Sequence, residues 1–148
     1  EYLKNNKNNY IEALRLIPLK TRKMLVHSYQ SFLFNKIVNE YLKNDNPKNI
    51  KIPVIGFNFE IGKIKSNTLK NIIKKVMDEE KINSRDFIIS QIPELTSEGG
   101  FRDLFFELNF KILEIAQDEL NENKQKIKIN FTLPKSCYAT TAIEFIFQ

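Results

Sequence analysis

The chain has 148 residues, 42% hydrophobic and 28% charged, with twelve Phe and no Trp, a make-up that suits one domain with a phenylalanine-based core and excludes general disorder. Its apolar runs are a few residues long, which excludes a membrane helix of roughly 20 residues, and the acidic Glu1 is unlike a signal-peptide start; a soluble, cytoplasmic protein is expected. The excess of 23 Lys and Arg over 18 acids, +5 in all, favours an anionic partner such as nucleic acid, although a basic but merely soluble surface gives the same number.

Taken in chain order, Glu1 to Asn9 is rich in Lys and Asn and poor in apolar residues, so a frayed start or linker remnant is expected, and the absence of an initial Met suggests that Glu1 is not the natural start. From Thr21 to Leu42, apolar residues recur at Leu25, Tyr29, Phe32, Leu33, Ile37 and Tyr41, the spacing of one helix face, with Pro18 just before it. The turn formers from Asn44 to Asn49 end that helix, and Ile52 to Ile61 reads as extended, with Pro53 and Gly56 opposing a helix. Ser66 is placed to cap a second helix over Asn67 to Glu80, whose apolar residues are Leu69, Ile72, Ile73, Val76 and Met77. Phe87 to Ile92 suggests a third helical turn that Pro93 stops.

Gly99 and Gly100 predict a flexible loop. Leu104, Phe106, Leu108, Phe110 and Ile112 then alternate as a strand does, although Lys111 to Leu120 also has good helix propensity. A polar turn near Asn123 leads into Ile127, Ile129 and Phe131, giving two antiparallel strands, and Tyr138 to Phe147 suits a closing helix. The expected class is α+β, helices packed with a small antiparallel sheet and a helix at the C-terminus.

Little of this carries chemistry by itself. Cys137 and His27 are the only Cys and His, so an internal disulfide is impossible, and the two alone cannot make a structural zinc site; no metal is expected. Gly99 and Gly100 lack the Lys-Ser or Lys-Thr pair of a phosphate loop. Only four basic residues are Arg (Arg15, Arg22, Arg85 and Arg102), which argues against a dedicated base-reading surface.

Two segments are more informative: Val26-His27-Ser28-Tyr29-Gln30-Ser31-Phe32-Leu33-Phe34-Asn35, and Phe131-Thr132-Leu133-Pro134-Lys135-Ser136-Cys137-Tyr138-Ala139-Thr140. They resemble signature segments of the TruD family of tRNA pseudouridine synthases, His-Ala-x-Gln-Ser-x-Leu-Phe-Asn and Leu-Pro-x-Gly-Ser-aromatic-Ala-Thr. Ser97 to Arg102 is similar to that family's Gly-rich loop ending in Arg. The resemblance covers the chain from about Pro18 to the end.

The resemblance implies that residues 1–106 belong to the domain this family inserts into its catalytic domain, and that 107–148 return to the catalytic sheet as its last strands and helix. It also implies isomerisation of uridine to pseudouridine in tRNA, without a cofactor, by an essential Asp in an upstream Lys-Asp motif. No Asp of this chain matches it, so the chain alone is expected to be inactive. Tyr138 is then the aromatic residue at the active-site edge, where its ring can stack on an extruded base at about 1–3 kcal/mol; its other use is core packing. Arg102 and Lys135 are candidate phosphate contacts, with solvated or salt-bridged roles as the alternative. His27, Gln30, Ser31 and Asn35 are expected to be structural, holding their helix against its neighbours. The chain departs from the family pattern at Ser136 (usually Gly), Phe101 (often Arg) and Glu144-Phe145 (commonly Arg-Glu). The rival reading is a non-catalytic RNA-binding or protein-interaction module with the same fold.

Overall fold

Pro18 supplies the carbonyl that accepts the first helical bond, from Arg22 N, and its fixed ring starts a 24-residue helix, Leu19–Leu42. The computed structural model describes residues 1–135 and 137–147. In chain order the elements are α1 (Tyr2–Asn5), α2 (Tyr10–Arg15), α3 (Leu19–Leu42), β1 (Lys51–Val54), α4 (Asn67–Glu79), β2 (Gly100–Asp103), β3 (Phe110–Gln117), β4 (Gln125–Phe131) and α5 (Ala139–Ile146), with short 3-10 turns at Ile61–Lys63, Ser84–Phe87 and Pro93–Leu95. The chain divides into two compact units, Glu1–Leu104 and Phe105–Gln148.

The first unit is built on α3 and α4. Leu33, Ile37 and Tyr41 of α3 meet Leu69, Ile73 and Val76 of α4, and Ile52, Ile55, Ile64 and Phe87 complete the core. The buried side of α3 also takes in Arg22 and Gln30, whereas Leu25 and Phe32, expected in the core, are 55% and 46% exposed. The 3.6-residue period explains this, because Leu25 and Phe32 lie about 100° from the line through Val26, Leu33 and Ile37.

Both ends of α4 carry readable signals. Ser66 Oγ accepts from Leu69 N at 3.3 Å. At the other end Lys81 adopts φ 53°, and Lys81 N and Ile82 N donate to Asp78 O and Met77 O, closing the helix with a left-handed residue where Gly is usual. β1 pairs antiparallel with β2, Ile52 opposite Arg102 and Val54 opposite Gly100.

The second unit is an antiparallel hairpin, β3 with β4, followed by α5. Asp118 caps its turn, accepting from Leu120 N at 2.9 Å and Asn121 Nδ2 at 2.7 Å, and Asn123 supplies the positive φ of 60°. A bulge between Ile112 and Glu114 keeps one face apolar: Phe110 pairs with Phe131, Ile112 with Ile129 and Ile115 with Ile127. Without the extra residue, Leu113, Ile115 would turn to the polar face.

Several sequence expectations are corrected. Glu1 to Asn9 is not a frayed start: it contains α1, and Asn9 caps α2 by accepting from Glu12 N at 3.4 Å. Extended structure ends at Val54 instead of Ile61. Gly100 is not loop but the first residue of β2, and the alternating stretch from Leu104 to Asn109 forms no strand, the next strand starting at Phe110. Around Phe87 the helical turn falls earlier, at Ser84–Phe87, where Asn83 and Asp86 form a capping box, and Pro93 opens a 3-10 turn instead of stopping one. The α+β class stands, with the strands in two two-stranded sheets. No helix among the described residues is long and apolar enough to cross a membrane.

Candidate functional site

A glutamine on the core side of a helix must satisfy both ends of its amide, or burial costs more than the packing returns. Gln30, 4% exposed, does so completely. Its Nε2 donates to Ile55 O at 2.9 Å and Glu98 O at 3.0 Å, while Oε1 accepts from Ser97 Oγ at 3.0 Å. One side chain of α3 thus joins two segments distant in sequence, the loop after β1 and the loop before β2.

Those two loops are also bound to each other. Phe57 N donates to Ser97 O at 3.1 Å and Gly99 N to Asn58 Oδ1 at 2.8 Å. A Cβ on Gly56 would lie 2.0 Å from Gly99 N, and one on Gly99 would lie 2.2 Å from Val54 O, so this approach requires glycine at both positions. Gly99, read from sequence with Gly100 as a flexible loop, is therefore clamped in a turn that ends where Gly100 begins β2. It launches β2, whose Arg102 lays its guanidinium over the Phe34 ring, 5.1 Å from the centroid. Among the described residues no carboxylate pairs with Arg102.

The other arginines differ. Arg22, buried, donates to Ile17 O at 2.9 Å and to Glu94 at 3.0 Å, and Arg15 lies against the same carboxylate. Glu94 is held below its ordinary pKa by its own backbone amide and then by the Arg22 guanidinium. Both cations are thus tied to structure.

Of the remaining helix residues, Ser31 is half-buried, while His27 and Asn35 are exposed. His27 lines a shallow cavity of about 240 Å³ with Lys23, Val26 and the Glu94–Glu98 stretch. In this first unit, then, Gln30 and Arg102 are linked through the clamped turn, and His27 borders the same loop from α3. Sequence reasoning missed Ser97 as the partner of Gln30 and Phe34 as the platform of Arg102. Both lay inside the quoted segments, but only the fold pairs them.

In the second unit, Lys135 is exposed in the turn after β4, and Tyr138 is the N-cap residue of α5 with its side chain 55% exposed. Within this unit the ring is not buried. Ser136 lies outside the described residues, and Cys137 is half-buried and free. Charge is divided unevenly: 18 of the 23 Lys and Arg, with 12 of the 18 acids, lie in Glu1–Leu104, a formal +6 against −1 for the rest.

The first unit is thus an α+β body of net positive charge whose Arg102 has no carboxylate partner among the described residues, and the second a hairpin–helix unit with an exposed tyrosine. Comparison assigns the chain to a family. The sequence model of tRNA pseudouridine synthase D (TruD) matches residues 1–56 and 45–144. A protein of Methanopyrus kandleri named "Probable tRNA pseudouridine synthase D" is 28% identical over 155 residues, covering 97% of this chain and 36% of its own. One of the same name from Nanoarchaeum equitans is 29% identical over 158 residues, covering 95% of this chain and 37% of its own. The crystal structure of a Methanosarcina mazei protein named as a tRNA pseudouridine synthase D superposes with a TM-score of 0.76 at 25% identity, over 97% of this chain and 42% of that one. The chain belongs to the TruD family, and it spans well under half the length of these relatives.

Proposed function

We propose that this chain is part of a tRNA pseudouridine synthase that isomerises uridine to pseudouridine in tRNA in the cytoplasm, supplying RNA-facing surface and one wall of the active site. The observation that carries this reading is the family match, which runs through both units. In this reading residues 1–106 are the inserted domain and 107–148 the return to the catalytic domain, where the nucleophilic Asp comes from an upstream segment. The uncovered apolar face of the hairpin supports that role: Ile112 and Ile115 are 54% and 55% exposed, and a two-stranded ribbon is marginal until further sheet or helix covers it.

Tyr138 stacks on the extruded base, a use that its exposed ring and position at the head of α5 support. Arg102 and Lys135 contact phosphates; Arg102 is preset by its Phe34 platform and needs no carboxylate broken away.

The test is pseudouridine formation in transcribed tRNA by the protein extended through its upstream half, with Tyr138→Ala and Tyr138→Phe. The Ala variant is expected to lose about five- to 150-fold in kcat/KM, from stacking worth roughly 1–3 kcal/mol, while Phe retains it. Full activity in Tyr138→Ala would remove the stacking role.

A further inference from the structure

α3 has two long sides with different chemistry. One is the core side. On another, Lys20, Lys23, His27, Ser31 and Asn35 follow at intervals of three and four, so they lie in one row. The row is about 22 Å long at 1.5 Å per residue. All but the half-buried Ser31 are exposed. Phe34 borders its far end and carries the Arg102 guanidinium, so a third cationic group continues it.

The only acid in α3 is Glu40, beyond the row, which is engaged by Lys43 and Lys75. Among the described residues Lys20 and Lys23 pair with no carboxylate. Glu94, which lines the cavity beside Lys23 and His27, is already neutralised by Arg22 and Arg15. Glu98 is the one exposed carboxylate left along that cavity.

We infer that this row is a binding track for a phosphodiester backbone: Lys20, Lys23 and Arg102 supply charge, and His27, Ser31 and Asn35 supply hydrogen bonds to successive phosphate and ribose oxygens. The track rests on the RNA-facing reading above and extends it to residues which that reading leaves structural or unassigned. Phosphate contacts of this kind fix register and carry affinity without reading sequence, which suits a row of lysines and small polar groups better than base recognition. Glu98 is the unfavourable element, a negative charge at the edge of an anion's path.

The experiment measures binding of a labelled tRNA transcript to this chain by fluorescence anisotropy across a salt series. It compares Lys20→Gln/Lys23→Gln with Lys65→Gln/Lys74→Gln, an equal charge change at exposed, unpaired lysines away from the row. All four sites are on the surface, so folding is preserved, and circular dichroism checks it. The row pair is expected to flatten the plot of log affinity against log salt by about 1.4 to 1.8, for two lost contacts, and the control pair by much less. Glu98→Gln is expected to tighten binding severalfold, an effect no structural role for Glu98 gives. Equal losses from the two lysine pairs, or no tightening in Glu98→Gln, overturn the track while leaving the RNA-facing reading intact. A chain that binds no tRNA overturns both, and equal binding to anionic phospholipid vesicles through the same lysines overturns RNA as the occupant.

Discussion

Replacing Gln30 with Met keeps the volume of the side chain and deletes its amide. Three bonds go: those to Ile55 O and Glu98 O, and the one from Ser97 Oγ. The carbonyl of Ile55 and the hydroxyl of Ser97 are left in the interior, and each such group costs about 1–3 kcal/mol when unpaired. The Glu98 carbonyl is partly reached by water and costs less. The total is about 3 kcal/mol, roughly 12 to 24 °C in melting temperature for a unit of this size. Urea unfolding followed by circular dichroism measures it. Ser97→Ala, which removes one bond and strands one amide oxygen, is expected to cost about 1–2 kcal/mol, and Asn35→Ala, on an exposed surface, under about 0.5 kcal/mol. A Gln30→Met variant within about 1 kcal/mol of the parent would refute the clamp, because packing alone would then account for the residue.

Gly99→Ala places a Cβ 2.2 Å from Val54 O, so the turn must move, at about 1–3 kcal/mol, whereas Gly62→Ala, with nothing within 4 Å, is expected to be nearly neutral; thermal melts compare the two. Lys81→Gly relieves a left-handed backbone at φ 53° and is expected to stabilise by about 1 kcal/mol, read from the urea midpoint. Glu40 is held down to about 2 from its ordinary 4.5 by Lys43 and then Lys75. Its folded-state value is depressed, so its contribution is complete above the ordinary value and is lost as pH falls toward about 2. Glu40→Gln is therefore expected to flatten the acid limb of a stability–pH curve over that window, and an unchanged limb would deny the pairing.

What was legible in the sequence was whatever local physics decides. α3 and α4 emerged from their 3.6-residue periods, and the start of α4 from Ser66, because caps and apolar stripes act within a few residues. The hairpin was legible too, since Asn123 suits a left-handed turn between alternating runs. β2 was not. Its four residues begin with glycine, and its ladder exists only because β1, some fifty positions earlier, is held beside it by Gln30 and the Gly56–Gly99 approach. Leu104 to Leu108 shows the converse, a good alternation in which no strand forms. The candidate site divides in the same way. Arg102 and Tyr138 were legible as residues of recurring segments, but the Phe34 platform and the Ser97 hydroxyl are long-range facts that spacing does not encode. α1 and α2 were missed because four- and six-residue helices contain too few turns to show a period.

The most direct test of the account is to incubate transcribed tRNA with this chain, and separately with the protein extended through its upstream half, and quantify pseudouridine. The account predicts that the extended protein converts uridine while this chain binds the tRNA without converting it. An extended protein that binds tRNA and forms no pseudouridine would contradict it, leaving a non-catalytic RNA-binding module on the same fold.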